Sequence, residues 1–229
     1  MASSALEIVQ NSFSFMMKNK IVFVPFLILT ILSLPLNIYY YNNVYNLDYG
    51  NVPYQQFSLP YALLSFVTAL FSDFVYVWTI NLSYSITKKK VSLENSAKVS
   101  LSSFLKFIFS SILYALIVVA GFILLIIPGI YLAIRMSFYP YAIVLDKESV
   151  VGSLKKSWKI TKKRWWFAFS IGAIMGIIAL FVVLPLYLIA GIVFYKNLLL
   201  STILISLVSI IFSSWNVVSY TSAYLKLRK

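Results

Sequence analysis

The sequence predicts an all-α, polytopic integral membrane protein. Six transmembrane helices form three hairpins, each preceded by an amphipathic helix lying in the cytoplasmic interface. Three observations predict this class. Of 229 residues, 61% are apolar and only 11% are charged. Soluble domains carry about 45–50% and about 25%, and no water-soluble core could absorb the excess. Six apolar runs follow one another with little chain between them, and a span needs about 20 residues. The basic residues then fall almost wholly on one side of those runs.

The N-terminal stretch does not read as a cleavable signal, because it lacks a basic start, a short apolar run and an Ala-x-Ala site. Instead, Leu6, Val9, Phe13 and Met17 recur at helical spacing, which predicts a first interfacial helix at about 5–18. The first span follows at about 21–41. An external loop at about 42–58 carries Tyr45, Tyr49 and Tyr54 among asparagines and glutamines, and tyrosines at that level anchor a bilayer interface. The second span is expected at 60–86. A second interfacial helix, with Leu93, Ala97, Leu101 and Phe104 on one stripe, is expected at 92–103.

The third span is expected at 104–127. Pro128-Gly129 is a turn signal, and a fourth, short span runs over 130–145, with Pro140 as a kink residue. The alternative for that segment is a re-entrant loop, which would leave five spans. A third interfacial helix at 149–163 has Val151, Leu154, Trp158, Thr161 and Trp165 on one stripe, with its lysines mostly elsewhere. The fifth and sixth spans are expected at 165–187 and 198–225. Pro35, Pro128 and Pro185 sit near the outer ends of the odd spans in similar contexts, which suggests three copies of one unit forming a single membrane domain over 1–229.

Of the 19 basic residues, 17 fall on one side of this arrangement; Lys196 lies opposite and Arg135 lies inside a span. The positive-inside rule then puts both termini in the cytoplasm of a multi-pass cell-membrane protein, and the separation requires an even number of spans. The net charge of +13 thus reads as orientation and attraction to anionic headgroups, with no nucleic acid needed. On the third interfacial helix, Lys155, Lys156, Lys159, Lys162 and Lys163, with Trp158 and Trp165, are the expected headgroup contacts.

Two charges fall inside the membrane: Asp73 near the middle of the second span and Arg135 about five residues into the fourth. A lone charge in hydrocarbon costs from about 3 to over 10 kcal/mol. The two differ in depth by about 7–10 Å from rise per residue, a gap an arginine bridges, so an interior ion pair is expected. The alternatives are an ion- or proton-coupled site, or an outward-snorkelling Arg135 with a protonated Asp73. Hydroxyl stripes run down the second span (Ser65, Thr68, Ser72, Thr79, Ser83) and the sixth (Ser206, Ser209, Ser213, Asn216, Ser219). Such stripes mark close helix packing, or else a hydrated path. Gly172 and Gly176 form a GxxxG pair on the fifth span, suited to packing within the chain or in a homo-oligomer.

No Cys and no His occur, and there are six carboxylates. Thiol, imidazole and His- or Cys-based metal chemistry are therefore excluded, and no catalytic residue, cofactor site or metal site is assigned. The stretch Ile127-Pro128-Gly129 through Arg135 to Pro140, followed by Ser157, Trp158 and Thr161, resembles the membrane domain found beside glycerophosphodiester phosphodiesterases and related six-span families. The resemblance is clearest over 104–180. It implies a helical membrane module but no activity, because the phosphodiesterase chemistry of such fusions belongs to a separate soluble barrel. The expected function is a non-enzymatic scaffold or accessory subunit organising lipids or partner membrane proteins. The alternative is a small transporter or channel with a polar route between the second, fourth and sixth helices.

Overall fold

The computed structural model describes residues 4–44, 59–194 and 197–229, all of them helix or short connection. In order these are α1 (Ala5–Lys18), a 3-10 turn (Lys20–Phe23), α2 (Val24–Val44), α3 (Leu59–Thr87) and α4 (Leu93–Leu124). They are followed by α5 (Ile126–Met136), α6 (Tyr139–Asp146), α7 (Val150–Thr161), α8 (Trp165–Ile178), a π turn (Ala179–Val183), α9 (Leu184–Val193) and α10 (Leu198–Leu227). Five helical segments are long and apolar enough to cross a membrane. The bent pair Ala5–Lys18 with Lys20–Pro35, at 94°, makes a sixth if counted as one span. The chain is thus an all-α protein built for a membrane. Of the stretch expected as an external loop, 45–58 lies outside the described residues, as does Lys196.

Helix α1 starts on a capping box, Ser4 accepting from the Glu7 N–H and Glu7 reaching back to the Ser4 N–H. It does not rest on lipid alone. Trp215 Nε1 on α10 donates to the Val9 carbonyl at 2.9 Å, and Phe13 packs edge-on to the same ring. The buried face is accordingly Ile8, Val9, Ser12 and Met16, rotated from the expected stripe.

The second amphipathic stretch differs from the sequence expectation. Ser92 caps Leu93, and the helix then runs unbroken for 32 residues into the span as α4. Nothing between 92 and 104 breaks it: the segment has no Pro or Gly. Asn19 and the Lys162–Arg164 connection do interrupt the first and third units. The three units therefore do not share one backbone plan. Pro35 lies inside α2, Pro128 in the first turn of α5, and Pro185 just beyond a π turn. That turn widens the helix where the pyrrolidine ring would strike the carbonyl four residues back.

The α4–α5 turn also moves. Leu125 is the extended residue (φ −165°, ψ 156°), and Pro128 and Gly129 belong to α5. A proline is tolerated in a first turn because its missing N–H has no helical acceptor there. Gly129 works by closeness rather than by turning. A Cβ there would lie 2.5 Å from the Phe122 ring, and one on Gly121 would lie 3.0 Å from Gly129 Cα. The α4–α5 hairpin closes on these two glycines. The expected Gly172–Gly176 seam is not tight: Gly172 has only the Tyr220 hydroxyl within reach of an added Cβ, and Gly176 has nothing within 4 Å.

The expected fourth span, 130–145, falls inside a 21-residue segment, Ile126–Asp146, long and apolar enough to cross a membrane, which breaks at Ser137–Phe138 ahead of Pro140. Pro140 is thus a kink residue, as its missing N–H and the restriction it puts on its neighbour require. The core sits around this break: Phe138 at the break itself, Tyr141, Ala142 and Ile143 on α6, Val75, Val77 and Ile80 on α3, and Ala223 and Tyr224 on α10.

Candidate functional site

The α5–α6 break frees backbone groups in a buried place, and α7 satisfies them. The Ser157 hydroxyl accepts from the Phe138 N–H at 3.0 Å and donates to the Arg135 carbonyl at 3.0 Å. Thr161 Oγ1 lies 3.0 Å from that carbonyl and 2.8 Å from the Ser157 carbonyl, so its single proton is shared. The face of α7 carrying Ser153, Leu154, Ser157 and Thr161 is buried. Ser149 caps its first turn through the Gly152 N–H.

Arg135 is 1% exposed, and among the described residues it makes no ion pair with Asp73. Its guanidinium lies 4.1 Å from the centre of the Trp158 ring and 5.7 Å from that of Tyr131, with Nε and Nη1 lacking hydrogen-bond partners. The expected pair fails because the two groups belong to different compartments. Arg135 is drawn under the α7 tryptophan, where ring electrons offset part of its desolvation, and Asp73 faces another space.

That space is a cavity of about 390 Å³ lined by Asp73, Tyr76, Phe107, Tyr114, Ser137, Tyr139, Pro140, Asn216 and Tyr220. A second, of about 270 Å³, shares Asp73, Tyr76 and Asn216 with it and adds Phe26, Ser72, Phe212, Ser213 and Val217. The walls come from α3, α4, α10 and the α5–α6 break, with α2 closing the smaller lobe. Several lining hydroxyls are fixed: Tyr76 to Tyr141 at 3.0 Å, Tyr139 to Ser111 at 2.9 Å and Tyr114 to the Ala133 carbonyl at 3.3 Å. The side chains of Asp73 and Asn216 have no hydrogen bond or ion pair among the described residues. The site thus presents a half-buried carboxylate and amide, unspent, to an aromatic chamber. Sequence reading marked Asp73 and the Ser72, Ser213 and Asn216 stripes but missed Tyr76, Tyr114, Tyr139 and Tyr220. Their one signal was depth, since tyrosines usually gather at span ends.

At the basic end, Asp146 collects three partners. Lys156 is at 2.7 Å, Arg228 pairs through Nη1, and the Tyr224 hydroxyl donates to it. Glu148 is 3.1 Å from Lys156. Burial alone would lower the Lys156 pKa, but its bonds to Asp146 and Glu148 outweigh that and hold it above the usual lysine value. Lys156 and Trp158 thus also make contacts within the protein. Trp165 is half-buried and stacks on Tyr131 and Phe169. Lys155, Lys159, Lys162 and Lys163 are exposed, as is Trp166 at 73%, which the sequence reading passed over.

Residues 64–227 match the family described as Domain of unknown function (DUF7847). No curated protein and no solved structure matches the chain. Nothing in these comparisons links it to the membrane domains beside glycerophosphodiester phosphodiesterases.

Proposed function

The chain belongs to the DUF7847 family, a domain of unknown function, and on that premise we propose that it is a small membrane transporter or channel for a small monovalent cation. The observation that carries this reading is the unpaired Asp73 carboxylate, at the midpoint of α3, beside a polar cavity between α3, the α5–α6 break and α10. A carboxylate at that depth has a high cost alone, and a passing cation or proton offsets it. Tyrosine and phenylalanine faces around it add attraction for an ammonium-type ion. The volume is in the range of small-ligand sites, about 300–1,000 Å³. A paired Asp73 and Arg135 in a packed interior would favour the accessory-scaffold reading, whereas an unpaired Asp73 beside a polar cavity favours transport.

In this reading the lysine-rich end faces the cytoplasm under the positive-inside rule, in the cell membrane. No catalytic step is assigned, and the nearest partner is the lipid around it. The test is full-length protein in proteoliposomes, with charge movement recorded after concentration jumps of tetramethylammonium, potassium, sodium and protons. Current in the wild type that is lost in Asp73→Asn, at unchanged thermal stability, is expected. Equal currents in both proteins, or none with any of the four ions, would overturn it.

A further inference from the structure

The strongest charge feature of the molecule lies away from the Asp73 cavity. A groove of about 760 Å³ runs between α7, the α7–α8 connection and the end of α10. Eight of its eleven lining residues are Lys or Arg, against one carboxylate, Glu148. Lys156 and Arg228 are already held by Asp146 and Glu148. The side chains of the other six, Lys155, Lys159, Lys162, Lys163, Arg164 and Lys229, have no hydrogen bond or ion pair among the described residues. An anion or salt relieves their mutual repulsion.

Two features name the anion. The groove floor includes Ile160 and Leu227, apolar side chains beside the cations. Its walls also sit where two spans end: α8 starts at Trp165, with the Trp166 ring exposed, and α10 stops at Leu227. An exposed tryptophan at a span end marks the level of the headgroups. We propose that this groove is a binding site for the phosphate of an anionic phospholipid, whose glycerol and upper chain lie over Ile160 and Leu227. The lysines and Arg164 meet the phosphate oxygens, the arginine able to do so in two-pronged fashion. The site is independent of whatever passes Asp73.

The experiment uses the full chain in a neutral detergent. Thermal unfolding is followed by tryptophan fluorescence while dioctanoyl phosphatidylglycerol, dioctanoyl phosphatidylcholine or inorganic phosphate is titrated in. The expected result is a saturable rise in Tm with phosphatidylglycerol only. Its apparent affinity falls at least about tenfold in the Lys155→Gln, Lys159→Gln, Lys162→Gln, Lys163→Gln quadruple variant, as losing four contacts to an anion predicts. A Lys88→Gln, Lys89→Gln, Lys90→Gln variant, stripped of exposed cations that do not line the groove, keeps wild-type affinity. Because all seven lysines are exposed, the lipid-free Tm should stay constant. An unchanged quadruple variant would refute the site. An equal loss in the Lys88–Lys90 control would reduce it to overall charge, and equal affinity for inorganic phosphate would remove the lipid.

Discussion

Removing the Ser157 hydroxyl tests the idea that α7 holds the α5–α6 break closed. The two backbone groups at that break are not equally supported. The Phe138 N–H has the Ser157 oxygen alone, whereas the Arg135 carbonyl has hydroxyls from both Ser157 and Thr161. Ser157 is fully buried, so Ser157→Ala strands an N–H away from water, at a cost of about 1–3 kcal/mol. Thr161→Val removes a shared proton from a carbonyl that Ser157 still serves. Its cost should approach the average for interhelical bonds in membrane proteins, about 0.6 kcal/mol. In the double variant both groups lose every side-chain partner, and the loss should exceed the sum by about 1 kcal/mol through their common acceptor. Reversible unfolding of the full chain in mixed micelles, read by tryptophan fluorescence, gives all four corners of the cycle. A Thr161→Val loss as large as that of Ser157→Ala, or strict additivity, would refute the assignment of support.

Other variants probe neighbouring parts. Gly129→Ala should destabilise by about 1–3 kcal/mol through overpacking against Phe122. Gly176→Ala, with open space around it, should be neutral or gain up to about 1 kcal/mol of helix propensity; the unfolding assay ranks the two. Trp158→Leu removes the ring over Arg135 and should cost about 2 kcal/mol, the scale of a desolvated cation–π contact. Arg135→Met should be neutral or stabilising, since two of its nitrogens are buried without partners. The reverse order would mean Arg135 has a support that the geometry lacks.

Periodicity and charge made most of the fold legible. The apolar runs, the α1 and α7 boundaries and the kink at Pro140 could all be read from hydropathy and from the absence of an N–H on proline. What escaped was set by partners distant in sequence. Pro128-Gly129 looks like a turn in isolation, yet its glycine is demanded by the Phe122 ring on another helix. Asp73 and Arg135 look like partners because the sequence contains only two charges at that depth. Trp158, which takes the arginine, is on a helix that the period alone places in the headgroups. The motif Ser157-Trp158 with Thr161 was visible, but its purpose needed the three-dimensional break it repairs. The cavity tyrosines were hidden because their hydroxyls are matched by residues such as Ser111 and the Ala133 carbonyl, which no local pattern announces.

The segment containing the π turn has a consequence for the membrane itself. From Trp165 to Val193 it is a 29-residue apolar rod, about 43 Å long at the helical rise, whereas the hydrocarbon slab is about 30 Å thick. Most of its surface is open, with one buried strip of Ala168, Ile171, Met175, Val183 and Ala190 packed on the rest of the chain. To fit, it would lean about 45° from the bilayer normal, past the usual limit of about 40°, or draw thicker lipid around itself. Acyl length should therefore matter to this chain: short-chain bilayers should force the segment flatter, long-chain bilayers should let it stand, and its contacts with α10 should shift with the thickness of the membrane that holds it.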